Sequence, residues 1–255
     1  MHSGSEEELR AYYRALCRAW GCPHWWPARS RFEVIVGAYL TQNTSWANVE
    51  RALLQLRSAH ALNIRAIREM TLPALQALIR SSGYFRQKAQ RLKAFVAFLD
   101  ERYEGSPTRM FAQPTAKLRE ELLALNGVGP ETADSILLYA GQHSVFVVDA
   151  YTRRILERHG IVPEGAPYEE IRNLCERALG PEMIPSLAGG GARATLPGTT
   201  HPPSRMSLAR RAPAAQVYND MHGMIVAVGK HYCLKSQPNC DGCPLQSFLL
   251  PGKRL

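Results

Sequence analysis

Residues 114–149, PTAKLREELLALNGVGPETADSILLYAGQHSVFVVD, decide the fold. Leu118, Leu122 and Leu125 recur at i, i+4 and i+7 and predict one apolar face of a helix, with Thr115 as its N-cap. Asn126-Gly127-Val128-Gly129 makes the turn. Two glycines there allow positive φ and let a ligand approach bare backbone. Pro130 suits the first position of a following helix, where its missing N–H costs nothing. Ala133, Ile136, Leu137 and Ala140 give that second helix a buried face. Amides at such a helix start attract an anion. The plainer alternative is an ordinary turn between two helices. The buried run that follows ends on Asp149, which also reads as the N-cap of a helix beginning near Ala150.

Upstream, residues 6–20 predict a first helix with Leu9, Tyr12, Tyr13, Leu16 and Trp20 as its apolar positions. Cys22-Pro23-His24-Trp25-Trp26-Pro27 is a loop by its prolines. Its two tryptophans serve either as a core plug or as a stacking surface for a base. FEVIVGAYL, residues 32–40, is apolar enough for a central helix. It runs into Thr41-Gln42-Asn43-Thr44-Ser45-Trp46 and a further helix over 47–56, capped by Thr44 or Ser45. A helix pair follows over 64–79. After Gly83-Tyr84 comes a basic amphipathic helix with Arg86, Lys88, Arg91 and Lys93 opposite Leu92, Phe95, Val96 and Leu99. Such a charge run is either a solvated face or a contact to a phosphate backbone.

Downstream of Asp149, helices are predicted over 150–158, 168–179 and 218–232. Residues 186–213 are rich in small residues, proline and arginine, and are expected to form a disordered insertion. The C-terminal part carries Cys233, Cys240 and Cys243 in the spacing C-x6-C-x2-C.

The whole chain has 255 residues, a formal net charge of +9 and 45% hydrophobic residues. That length accommodates one large domain or two small ones, and the charge favours a polyanionic partner. The start, MHSGSEEELR, lacks the basic beginning and apolar core of a signal peptide. No apolar run approaches the roughly 20 residues needed to span a bilayer. The expected location is the cytoplasm, in association with the nucleoid. In a reducing compartment the six cysteines are expected to be metal ligands or free thiols.

With the glycine hairpin, Asp149 at the end of the Val-Val run and the Gln42 segment in view, the chain resembles the endonuclease III (HhH-GPD) superfamily of DNA glycosylases. WWP, LTQNTSW and GVGPETADSILLYA are most similar to its 3-methyladenine DNA glycosylase III-like branch. The resemblance covers about residues 25–185 and 216–248. It implies an all-α fold. A six-helix barrel domain with the hairpin would span 30–142, and residues 1–29 with 143–255 would form a second domain. Gly127, Val128 and Gly129 would hold a DNA phosphate. Tyr84 and Lys88 would make a second backbone contact. Gln42, or Asn43 if the register slips by one, would fill the gap left by a flipped nucleotide. Trp25, Trp26 and Trp46 would stack on the base, and Asp149 would be catalytic.

Bifunctional members of the superfamily cleave the strand with a lysine just after the hairpin; Glu131 stands there in this chain. A carboxylate forms no imine, so a monofunctional glycosylase acting on alkylated purines in double-stranded DNA, as a monomer, is expected. The rivals are a glycosylase/AP lyase for oxidised pyrimidines or mismatches, and a non-catalytic DNA-binding protein. The resemblance also implies a [4Fe–4S] cluster on Cys233, Cys240 and Cys243, but Leu249 occupies the place of the fourth cysteine. A labile iron, a three-iron form, no cluster, or zinc completed by His231 remain open on the residues alone.

Overall fold

The computed structural model describes residues 2–21, 23, 26, 28–183, 196–197 and 204–249. The described chain is helical throughout and divides into two compact units, residues 28–141 and residues 1–27 with 142–255. No described helix is long and apolar enough to cross a membrane.

The 28–141 unit is built around α2, Arg31–Thr41, whose residues from Phe32 to Leu40 are all buried. A helix that is apolar on every side needs neighbours on every side. They come from α3 (Trp46–Ser58), α6 (Phe85–Tyr103) and the segment Ile136–Gly141. α2 opens on Ser30, whose hydroxyl accepts from the Glu33 amide at 3.2 Å. The Glu33 carboxylate is buried and paired with Arg57. Two short helices, α4 (Ile64–Glu69) and α5 (Leu72–Leu78), start on Asn63 and Thr71 caps. Next come α6, α7 (Pro107–Phe111), α8 (Thr115–Leu123) and α9 (Pro130–Ser135). α9 widens into π-helical turns over Ile136–Gly141.

The other unit is built around α12, Pro213–His231, buried continuously from Val217 to Gly229. It packs on α10 (Ala150–Arg158), on α1 (His2–Trp20) and on the 3-10 turn Pro181–Met183; α1 also packs on α11 (Tyr168–Ala178). Gly229 allows the close approach of α10, because a Cβ there would stand 2.2 Å from the Tyr151 ring.

Some element bounds depart from the sequence reading. α12 begins at Pro213 rather than near 218, because proline is favoured in a first turn although the apolar pattern starts later. Thr115 is the first residue of α8 and not its cap; Pro114 holds that position and no side chain caps it. The expected disordered insertion lies outside the described residues over 186–195 and 198–203. Its end, 204–212, is ordered turn. Ser204 and Ser207 cap each other through both hydroxyls, Met206 is buried, and the Arg211 guanidinium donates to the Met206 carbonyl at 2.7 Å. Local side-chain to backbone bonds there replace the apolar contacts the composition lacks.

Candidate functional site

In the 28–141 unit, α8 and α9 are clamped by a buried pair. Arg119 donates to both oxygens of Asp134 at 2.7 and 3.1 Å, and Asp134 is fully buried. The elbow between them uses its two glycines differently. Gly127 sits at φ +76. Gly129 has φ −93 and serves as the N-cap of α9, so only Gly127 needs a left-handed backbone. The Val128 amide is spent on the Leu125 carbonyl at 3.1 Å and its side chain is buried. First-turn amides of a helix have no intrahelical acceptor, and Glu131 lies exposed in that first turn of α9.

Gln42 reaches this elbow. Its Nε2 donates to the Gly127 carbonyl and to Thr132 Oγ1, each at 2.9 Å, while its Oε1 accepts from Arg91 Nη1 at 2.8 Å. Arg91 therefore lies across Gly127, beside the one glycine whose missing side chain makes room for it. Gln42 thereby braces the hairpin. Asn43, next in the chain, is exposed in a left-handed conformation that asparagine tolerates.

The expectation for Lys88 requires correction. It is 1% exposed, and its ammonium donates to the Leu40 carbonyl at 2.8 Å and the Ser82 carbonyl at 2.7 Å. Burial, with the charge of Arg91 adding to it, pushes its pKa down to about 8. A phosphate cannot reach it; Lys88 stitches the end of α2 to the start of α6. Tyr84, four residues earlier, is 66% exposed with φ +43. Trp46 is half-buried and its Nε1 donates to Glu50 at 2.9 Å.

In the other unit, Asp149 is the N-cap of α10, and its Oδ1 accepts from the Thr152 amide at 2.7 Å. The cap reading holds, and it leaves the second oxygen to face elsewhere. That oxygen, Oδ2, lies 3.6 Å from His222 Nε2, with the Asp149 side chain 13% exposed. Burial pushes His222 below the ordinary histidine range, and the Asp149 charge opposes this more weakly. Trp26 is half-buried at φ +71. Trp25 lies outside the described residues. Arg91 and His222 are the two site residues the sequence reading did not single out. Arg91 was one of four basic residues in the first half of its helix, and His222 one polar residue inside an apolar run.

Residues 36–181 match the HhH-GPD superfamily of base excision DNA repair proteins. The chain belongs to that superfamily. A relative from Methanocaldococcus jannaschii, provisionally called the DNA repair glycosylase MJ1434, is 38% identical over 98% of this chain and 99% of its own. The endonuclease III of Thermotoga maritima is 26% identical over 85% of this chain and 81% of its own. Among solved structures, the H. pylori 3-methyladenine DNA glycosylase MagIII, bound to 1,N6-ethenoadenine, superposes with a TM-score of 0.70 at 29% identity. It covers 91% of this chain and 99% of that one. A non-covalent endonuclease III–DNA complex gives 0.71 at 20% identity, covering 97% and 96%, a likeness of fold. The chain is a DNA glycosylase of base excision repair.

HhH-GPD membership raises the iron–sulfur question directly. Cys233, Cys240 and Cys243 line one recess together with His159, Leu245 and Leu249. Burial chiefly, and then the neighbouring Cys240 and Cys233, raise the Cys243 thiol. His231, the alternative zinc ligand, is exposed and does not line the recess. Among the described residues no group of three or more His, Cys, Asp or Glu side chains is placed to hold a metal ion. The donor set does not fit a cluster held by four thiolates, because the hydrocarbon side chain of Leu249 faces the recess instead of a sulfur. Two arginines of α10 carry the cysteine loop. Arg154 donates to the Cys233 carbonyl at 2.8 Å, and Arg158 donates to the Leu234 and Lys235 carbonyls at 2.6 and 2.8 Å.

Proposed function

We propose that this glycosylase is monofunctional and hydrolyses the N-glycosidic bond of alkylated purines, such as 3-methyladenine, in double-stranded DNA. The observation that carries the reading is Glu131, exposed in the first turn of α9 just past the Gly127–Gly129 elbow. A lysine there would supply an imine-forming amine; a carboxylate does not. Support for the substrate class comes from the likeness to MagIII, whose crystal structure holds an ethenoadenine. The protein would act as a monomer on chromosomal DNA in the cytoplasm.

In this reading the elbow grips a phosphate, with Arg91 adding positive charge beside it. The damaged nucleotide leaves the stack, at a cost of a few kcal/mol that damage lowers. Breakage of the glycosidic bond places positive charge on the sugar. The Asp149 carboxylate stabilises that oxocarbenium character and orients the water that completes hydrolysis. Trp46 and Trp26 are the described aromatics that would face a cationic alkylbase.

The test is mass analysis of bases released from methylated DNA, paired with borohydride treatment of the enzyme on single-lesion duplexes. Free alkylpurine with no trapped protein–DNA adduct is expected. Release confined to oxidised pyrimidines, or a trapped adduct with the native chain, would overturn the reading.

A further inference from the structure

The Asp149 carboxylate has one oxygen committed and one directed at a side chain that no step above uses. Oδ1 is held by the Thr152 amide at 2.7 Å. Oδ2 lies 3.6 Å from Nε2 of His222, which comes from the middle of the buried helix α12. The imidazole is 5% exposed, and the Phe146 ring meets it edge-on with centroids 6.4 Å apart at 82°. Phe146 belongs to the same buried run that delivers Asp149, so one short segment fixes both the acid and the ring's packing.

We propose that His222 is a positioning residue for Asp149: its neutral imidazole directs Nε2–H at Oδ2 and, with the Thr152 amide, fixes the plane of the carboxylate. The inference rests on Asp149 acting in base release, as proposed above.

Three physical points support it. A carboxylate held at one oxygen can still swing about its χ2 torsion, which is broad and two-fold. A second donor removes that freedom and leaves the remaining lone pairs with one orientation. The distance of 3.6 Å is longer than a hydrogen bond, but catalytic hydrogen bonds are often long before substrate arrives and tighten in the complex. Finally, a neutral donor is the right kind. An imidazolium would pair with the carboxylate and cancel the charge that the sugar cation needs, and burial disfavours that form. The Phe146 ring would pack as well against a phenylalanine, so that contact does not call for a histidine.

The experiment compares the full-length protein with His222→Phe, His222→Gln, Asp149→Asn and the Asp149→Asn/His222→Phe double variant, in single-turnover release of base from methylated duplex DNA. DNA affinity and melting temperature are measured on each. The expected result is a rate about 100-fold lower in His222→Phe, the scale of a misplaced reacting group, with DNA affinity unchanged. His222→Gln, which keeps an N–H near the position of Nε2, recovers most of the rate. The double variant is no slower than Asp149→Asn alone, because a residue acting only through Asp149 has nothing left to position.

A His222→Phe protein that is folded and within twofold of the native rate overturns the proposal. So does a double variant that multiplies the two losses, or a His222→Gln protein that is folded and no faster than His222→Phe. If His222→Phe fails to fold, His222→Gln and its double with Asp149→Asn decide on the same criteria. A native protein that releases no base from any lesion, or an Asp149→Asn protein as fast as the native, overturns the glycosylase mechanism itself and this proposal with it. An active native protein with an inert Asp149→Asn variant and an unimpaired His222→Phe variant overturns the proposal alone.

Discussion

Arg91 lies across Gly127: a Cβ on that glycine would stand 2.0 Å from Nε and 2.2 Å from Cζ of the arginine. The contact is permitted only by the missing side chain, and the same guanidinium holds Gln42. Substituting Gly127 by Ala therefore imposes two costs. A left-handed backbone costs a non-glycine residue about 1–2 kcal/mol, and Arg91 must leave, releasing Gln42. The expected outcome is a lower melting temperature together with weaker DNA binding. Gly129→Ala makes the control, because nothing lies within 4 Å of its Cβ and its φ is −93. Its stability should change by less than about 0.5 kcal/mol, while DNA affinity falls about tenfold if a phosphate contacts that bare backbone. Fluorescence anisotropy with a labelled duplex and thermal denaturation check the pair.

Asp149→Asn and Asp149→Ala should separate capping from chemistry. Asparagine caps a helix as well as aspartate does, whereas alanine costs about 1 kcal/mol. Both variants should lose base release by about 100-fold or more, since neither carries a charge. Only the alanine variant should melt earlier. A base-release assay and a thermal scan on the same samples read both effects.

Lys88→Met should destabilise the protein without weakening its electrostatic grip on DNA. Removing the ammonium leaves the buried carbonyls of Leu40 and Ser82 without their donor, at about 1–3 kcal/mol for an unsatisfied group. The pH dependence follows from the depressed pKa. Between about 8 in the fold and the ordinary 10.5, the unfolded chain holds a proton that the folded chain has shed. Stability attributable to Lys88 therefore rises with pH across that window and is lower below about 8. Denaturant titrations of native and variant proteins from pH 7 to 10.5 should show a widening difference, and the salt slope of DNA binding should be the same for both.

The hairpin clamp should behave as a buried ion pair. Asp134→Ala leaves Arg119, only 16% exposed, without its carboxylate and should cost about 3 kcal/mol. The Asp134→Ala/Arg119→Met double variant removes that half-buried charge, so it should be more stable than Asp134→Ala alone. Urea unfolding of these two, the native protein and Arg119→Met in a double-mutant cycle gives the coupling directly.

Much of the architecture was legible because it rests on local patterns. The apolar run 32–40 marked the central helix of one unit, and the Gly-x-Gly elbow with Pro130 marked the hairpin. Asp149 could be read as a cap because capping depends only on residues three positions apart in sequence. Other features were not legible in the same way. Lys88 belongs to a basic, amphipathic stretch and looked like a surface cation. Its ammonium turned inward because the carbonyls of Leu40 and Ser82 both needed a donor, and neither lies on its own helix. Residues 204–212 looked too polar to order, yet Ser204, Ser207 and Arg211 satisfy the backbone themselves.

The sequence by itself determined the helices and the hairpin, since each is written in spacings of a few residues that backbone geometry obliges, and its motifs carried the resemblance to the superfamily. Only the tertiary structure decided which partners those residues meet: Arg91 and Gln42 on the elbow, the carbonyls around Lys88, and His222 at the second oxygen of Asp149. Those contacts join positions 6 to 85 residues apart. No local period encodes them, because they exist only once the apolar faces have packed and the remaining polar groups must find a donor or acceptor inside.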